Sequence, residues 1–293
     1  MNWWEGSKVK VEKGVRLSAY TTFRIGGPAD LFSQPKDEKE LKLLINLAKR
    51  YKINFLVIGA GSNILASDKG VRALVVRLGA PYFKRVSAKD NLVIAGAGCP
   101  MGRLLEFCAR HGFCGLEFMA GIPGTLGGCL AMNAGAWGDS IVRKISSCRV
   151  MDKAGRIKTL KKSQIKFGYR SSSLVDYIIL EARFKLARDT GANIRQRINR
   201  CLYERRAAQD LARPSAGCVF KNPDGDSAGR LIDACGLKGK RIGDAAISTR
   251  HANFIVNLGR ARSSDVLKLT HLIKKGVKRR FNIKLEPEIK LWQ

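Results

Sequence analysis

Gly121-Ile-Pro-Gly-Thr-Leu-Gly-Gly-Cys-Leu-Ala-Met-Asn-Ala-Gly-Ala-Trp-Gly138 is the stretch from which the fold of this chain is read. Eight glycines fall between Gly112 and Gly138, and residues Ile122–Gly128 show neither a helical nor an alternating apolar pattern. Glycine costs conformational entropy wherever it is ordered and brings no side chain to pack. What it offers is bare main chain, whose amides can approach a flat or phosphorylated ligand closely. A loop this rich in glycine inside a compact domain reads as a ligand-contact loop, against the simpler reading of a long connection with several tight turns.

A second cluster points the same way. Asn54-Phe-Leu-Val-Ile58 reads as a short buried strand that runs directly into Gly59-Ala-Gly-Ser-Asn63. A glycine-rich turn after a strand is where main-chain N–H groups converge on a diphosphate. The spacing matches neither a P-loop, since no Gly-Lys-Ser/Thr follows, nor the dinucleotide fingerprint, since the third glycine is missing. Taken singly, Ser62 and Asn63 are equally ordinary turn formers. A third region, Leu92-Val-Ile-Ala-Gly96 with Gly98 and Gly102, imitates the fingerprint, but Gly102 falls one residue late and Pro100 suits a helix start. It reads as a structural strand–turn–helix junction.

The chain has 293 residues, 45% hydrophobic and 27% charged, enough for two or three domains or subdomains of an ordinary globular protein. Met1–Lys8 lacks the pattern of a signal peptide, and no apolar run reaches membrane-spanning length. Eight cysteines without a Cys-x-x-Cys pair or zinc-like histidine spacing argue against a disulfide framework or a metal site, and suit a reducing cytoplasm. Lys and Arg number 54 against 24 Asp and Glu, a formal net charge of +30. Such a field attracts nucleic acid or any phosphorylated small molecule. The basic residues are dispersed rather than gathered in a tail, and no RNA-binding motif or zinc finger is present.

Periodicity predicts a helix over 37–52 with Leu41, Leu44, Ile45 and Ala48 inward, and strands at 55–58, 74–78 and 92–95. A helix near 101–110 follows, then strands around 147–151 and 177–186 bracketing a turn at 152–155, and a helix from 194 to about 209. Further helices span 228–234, ending at Gly236, and 263–280, capped by Ser263 or Ser264 with Val266, Leu269, Ile273 and Val277 inward. Ile283–Leu291 alternates with period two and reads as a strand. The polar segment 187–193 divides residues 1–190 (subdomains of about 1–80 and 81–190) from 191–293.

Several motifs stand in one order along the chain: Thr21-Thr-Phe-Arg-Ile-Gly-Gly27, Gly59–Asn63, Gly121–Gly128 with Met132-Asn-Ala-Gly135, and Phe167-Gly-Tyr-Arg170. Ser215-Ala-Gly-Cys-Val-Phe-Lys-Asn-Pro223, Ala228–Asp233, His251-Ala-Asn-Phe254 and Glu286-Pro-Glu288 follow. In them the chain resembles the UDP-N-acetylenolpyruvoylglucosamine reductases (UDP-N-acetylmuramate dehydrogenases), flavoenzymes that complete UDP-muramic acid in bacterial wall synthesis. The resemblance implies an α+β chain: a vanillyl-alcohol-oxidase/PCMH-type FAD-binding fold of two subdomains plus a C-terminal α+β substrate-binding domain. It further implies non-covalent FAD, NADPH as co-substrate and the UDP-N-acetylglucosamine enolpyruvyl ether as substrate. A cytoplasmic monomer is expected, with neither nucleic acid nor membrane as partner. Gly59, Gly61, Ser62, Asn63 and Ile64 would face the FAD diphosphate. Gly121, Ile122, Pro123, Gly124, Thr125, Gly127, Gly128, Ala134 and Gly135 would line the cofactor. His111, His251 and His271 lie outside both loops, which argues against a histidine tether to flavin.

By the same resemblance Arg170 and Glu288 stabilise the charge that gathers on the substrate after hydride transfer. Residue 218 supplies the final proton. Tyr169, Lys221 and Asn222 grip the UDP-sugar. Position 218 departs from the family, in which serine is usual; Cys218 is a stronger acid, with an ordinary pKa of roughly 8.5, and so can still donate. The short span from Arg206 to Ser215 matches a shorter subtype without an added tyrosine-bearing loop. The alternatives are another FAD-dependent oxidase of this fold and, further off, a basic nucleic-acid-binding protein, which would explain neither glycine cluster.

Overall fold

The structure, a computed structural model, describes residues 9–293. Met1–Lys8, read above as lacking a signal-peptide pattern, lies outside the described residues. The chain forms two compact units that are both discontinuous in sequence. The larger takes residues up to Lys13, Leu31–Ala60 and Ala73–Glu204; the smaller takes Gly14–Asp30, Gly61–Arg72 and Arg205–Gln293. This differs from a single division at 187–193. That polar segment is followed at once by a helix, Gly191–Ala208, which continues past Glu204.

In the larger unit the helix Glu38–Arg50 starts where Asp37 stops it: the Asp37 carboxylate accepts the N–H groups of Lys39 and Glu40 at 2.8 and 2.9 Å. Leu41, Leu44, Ile45 and Ala48 are buried, as their spacing predicts. The carboxylate of Glu38 grips the guanidinium of Arg149 with both oxygens, at 2.6 and 2.5 Å, which pins the helix start to the strand Ile145–Met151. That strand belongs to a five-stranded antiparallel sheet in the order 157–161, 145–151, 178–185, 92–96, 86–89. Cys148, Val150, Ala182, Phe184, Val93 and Ala95 point into the core with no exposed surface. The hairpin at 152–155 is held by Asp152, whose carboxylate accepts from the Ala154 and Arg156 amides. A second sheet has the order Val11–Arg16, Pro28–Ser33, Val71–Arg77, Phe55–Ile58.

The long glycine stretch is not loop throughout. Leu126–Ala131 is a short helix. Its start is fixed from outside its own sequence: the Leu126 amide donates to Cys99 O at 2.9 Å and the Gly127 amide to Ala97 O at 2.8 Å. No local periodicity could announce it. Leu92–Gly96 and Met101–Arg110 form the expected strand–turn–helix junction, and its carbonyls hold the glycine stretch.

The smaller unit packs the helix Ser263–Phe281 against an antiparallel sheet in the order Ser215–Cys218, Phe254–Asn257, Ala245–Ile247, Arg241–Ile242. Val266, Leu269, Ile273 and Val277 form the buried stripe. The expected serine cap is replaced by Asp68. Its two carboxylate oxygens accept the amides of Ser263 and Ser264 at 2.7 and 3.2 Å, while the Ser263 hydroxyl accepts from the Asp68 amide. The C-terminal alternation gives less strand than expected. Pro287 forms one bridge to Phe220, and only Lys290–Trp292 pairs as a strand, parallel to Ile64–Ala66. Proline has no N–H to continue a ladder. Leu285 and Ile289 are buried, whereas Leu291 is about half exposed, at 48%.

Removal of the Asp68 carboxylate leaves two N-terminal helix amides without their acceptor. Asp68→Ala is expected to cost about 1 kcal/mol, read as an earlier urea midpoint with an unchanged slope; an unaltered midpoint would show that water serves these amides as well.

Candidate active site

In the larger unit the two glycine regions meet. A Cβ placed on Gly59 would lie 2.4 Å from the Thr125 hydroxyl oxygen, and one on Gly127 would lie 3.0 Å from the Ala97 Cβ. Close packing of main chain therefore explains part of the glycine content. Position 128 is different: the nearest atom to a Cβ there is Thr125 Oγ1 at 3.6 Å, and Gly128 is exposed. Among the described residues the amides of Ala60, Thr125 and Gly128 find no acceptor. Ile122 and Gly124 spend one main-chain group each inside the protein, on Met119 O and the Met101 amide. Gly121 has φ +76° and Pro123 is exposed. Ala134 is engaged through its amide with Cys129 O, and Gly135 pairs with Ser140, where a Cβ would lie 2.1 Å from Asp139 O.

In the smaller unit Gly61 has φ +63°, and a Cβ would come 2.2 Å from Tyr20 O. The Thr21–Gly27 motif packs here, with the Thr22 amide donating to Gly61 O and the Thr22 hydroxyl to Ser215 O. Among the described residues the amides of Ser62 and Asn63 find no acceptor. Ile64 opens the strand Ile64–Ala66. The Asn63 side chain points elsewhere than expected: Nδ2 donates to Glu288 O at 3.1 Å, and Asn63 O accepts from the Lys290 amide. Both turns thus present amides that protein leaves available, the donor chemistry that a dinucleotide diphosphate needs. The residues present fit FAD in that respect.

Arg170 and Tyr169 form the two-residue turn between Phe167–Gly168 and Ser171–Ser172. Arg170 has φ +52°, a left-handed conformation that costs a residue with a side chain roughly 1–2 kcal/mol. Its Nη1 donates to Gly135 O at 3.1 Å, and the guanidinium lies 5.3 Å from the Tyr169 ring centroid. Tyr169 is 55% exposed.

Cys218 ends the strand Ser215–Cys218, opposite Phe254. The register shifts between Ser215 and Cys218, where Gly217 has φ +74°. Val219 O accepts the Glu288 amide at 2.8 Å, so the main chain of Glu288 lies one residue from Cys218. Asn253 clamps the same segment: its Oδ1 accepts from the Phe220 amide, its Nδ2 donates to Phe220 O, and its own carbonyl accepts from Val219. The sequence reading quoted Asn253 and Asn133 within motifs but assigned them nothing. Each is a buried polar residue, and burial was the missing signal. Lys221 binds Glu286 at 2.6 Å, which holds the Glu286 carboxyl below its usual range, while the Asn222 side chain caps the helix at Ala228.

The fold is that of an FAD-binding protein: a family model described as an FAD binding domain matches residues 29–161. A second, for the C-terminal domain of UDP-N-acetylenolpyruvoylglucosamine reductase, matches residues 209–292. A reductase of that name from Symbiobacterium thermophilum, numbered 2, is 42% identical over 97% of this chain and 92% of its own. One from Clostridium novyi is 37% identical over 97% and 92%. The crystal structure of the enzyme from Thermus caldophilus superposes with a TM-score of 0.84 at 37% identity, covering 97% of this chain and all of that one. The chain belongs to the UDP-N-acetylenolpyruvoylglucosamine reductase family.

No cysteine forms a disulfide. Burial pushes the thiols of Cys108, Cys129 and Cys148 up to about 12 and that of Cys99 to about 11, from 9.0. The folded chain keeps these protons where the unfolded chain releases them. Their contribution to stability is therefore full below pH 9 and is lost as pH rises toward 11 and 12. Urea midpoints are expected to fall between about pH 8 and about pH 10.5, and less so in Cys129→Ala after correction for its own baseline; a flat profile would contradict burial of these thiols.

Proposed function

We propose that this chain reduces the enolpyruvyl ether of UDP-N-acetylglucosamine to UDP-N-acetylmuramate, a peptidoglycan precursor. The reading is supported by the 2.8 Å bond from the Glu288 amide to Val219 O, which joins the main chain of Glu288 to the residue after Cys218. FAD, when bound, would supply the hydride for the methylene carbon at the expense of NADPH. The amides of Ala60, Ser62, Asn63, Thr125 and Gly128 would hold it, and the packed glycines at 59, 61, 127 and 135 keep that main chain in place.

As the substrate double bond is reduced, negative charge spreads from the neighbouring carbon into its carboxylate. Arg170 answers that charge with a fixed guanidinium, and Glu288 with a carboxyl group that serves best when protonated. Cys218 delivers a proton to the carbon from its thiol, and solvent at this half-buried position restores the proton. Tyr169, Lys221 and Asn222 contact the UDP-sugar, and the helix-capping bond engages only the Oδ1 of Asn222. Among the described residues no helix is long and apolar enough to cross a membrane and no cluster suits a metal ion. The reading includes a cytoplasmic, monomeric enzyme.

Anaerobic reduction by NADPH followed by reoxidation with the enolpyruvyl substrate tests this. Arg170→Ala and Cys218→Ala are expected to reduce normally and to reoxidise slower by roughly 10²–10⁴-fold. Cys218→Ser is expected to turn over without sensitivity to thiol reagents at that site. Glu288→Gln should lose less than Glu288→Ala, since the amide still donates. Normal reoxidation in Cys218→Ala would refute its role as proton donor, and protein that binds no flavin would refute the whole reading.

A further inference from the structure

The turn that bears Arg170 has little packing to hold it. Phe167 is 41% exposed and Tyr169 55%, and Lys166, Gly168 and Ser171 are exposed as well. Main-chain and hydroxyl bonds between Lys166 and Ser173 close the base of the hairpin, not its tip. One segment of the glycine stretch meets the tip at two points. Asn133 Nδ2 donates to Gly168 O at 2.8 Å, and Gly135 O accepts from Arg170 Nη1 at 3.1 Å.

Asn133 is itself unusual. Only 6% of it is exposed, and its φ is +43°, a conformation in which glycine is the default residue. Both ends of its amide are used, since Oδ1 also accepts from the Val142 amide at 3.4 Å. An asparagine kept in left-handed main chain amid so many glycines is explained by what its side chain does. From this we infer that Asn133 is a positioning residue: it fixes the height of the Gly168–Arg170 turn over the 133–135 segment, so that the guanidinium meets the substrate's developing charge at one distance. The inference rests on the reading of Arg170 given above.

Two substitutions test it. Asn133→Gly suits the positive φ and deletes only the amide, whereas Asn133→Asp keeps the acceptor toward Val142 and lacks the donor toward Gly168. Both are expected to leave flavin content and the rate of reduction by NADPH unchanged, and to slow reoxidation by the enolpyruvyl substrate roughly 10- to 100-fold, as a misplacement of about an ångström does. Placed on an Arg170→Ala background, either should slow reoxidation by no more than about twofold further, because the group it positions is already gone. Amide hydrogen exchange over 166–173 should quicken in both single variants while the 178–185 strand stays protected. Unchanged exchange over 166–173, or equal slowing with and without the arginine, would overturn the role of Asn133. Normal reoxidation in Arg170→Ala with quickened exchange in Asn133→Gly would instead overturn the assignment of Arg170 while the tether stands, so the two failures are read apart.

Discussion

A methyl group at position 59 would sit 2.4 Å from the Thr125 hydroxyl oxygen, and one at position 127 would sit 3.0 Å from the Ala97 Cβ. Through those two absences the larger unit stacks main chain on main chain. Three segments far apart in sequence come together: the turn after Phe55–Ile58, the junction at 97–99, and the glycine stretch at 124–128. The carbonyls of Ala97 and Cys99 are consumed in holding Leu126 and Gly127. The amides of Thr125 and Gly128 are left over. Which donors face a ligand is thus decided by which carbonyls the fold has already used, because a buried N–H is rarely left without a partner.

In the smaller unit a different economy holds. Of its catalytic candidates, Cys218 ends a short strand with interrupted pairing and Glu288 lies just before one, and side-chain amides complete what the ladder lacks. Asn253 serves both polar groups of Phe220 as a neighbouring strand would, and Asn63 takes Glu288 O. A hydrogen bond of this kind contributes only about 1 kcal/mol net, but loss of one buried partner costs about 1–3. The asymmetry matters more for geometry than for stability: Val219 and Glu288 have few other ways to satisfy their main chain, so they stay aligned.

How far the sequence reveals this follows from where each constraint lies. Helices such as 38–50 and 263–281 are legible because their burial is periodic and local, and the strand at 55–58 because it is a short apolar run before glycines. The strand Ile157–Lys161 escapes notice because only Leu160 is buried, and Phe254–Asn257 because all four of its residues are. The helix Leu126–Ala131 depends on carbonyls 27 and 30 residues away, and the Asp68 cap on a partner 195 residues away. The motifs do not disclose a division of labour: glycines at 59, 61, 127 and 135 answer to protein neighbours, and Asn63 ties down Glu288 with its side chain.

Position 218 shows how a change of chemistry can leave geometry alone. The positive φ of Gly217 and the bonds of Val219 fix the main chain on either side of the residue, whatever its side chain. Serine and cysteine differ there by one atom, so the same scaffold presents either. The difference lies in acidity. The thiols at 108, 129 and 148 are held protonated by burial and are inert for that reason. A donor that must give up a proton at every turnover and recover it cannot be buried so deeply, and Cys218 is half-buried. Solvent access that lets the thiol regain its proton also opens it to deprotonation and oxidation, neither of which an alcohol suffers at neutral pH. In its proposed role Cys218 gives up the chemical inertness of a serine for a more acidic donor.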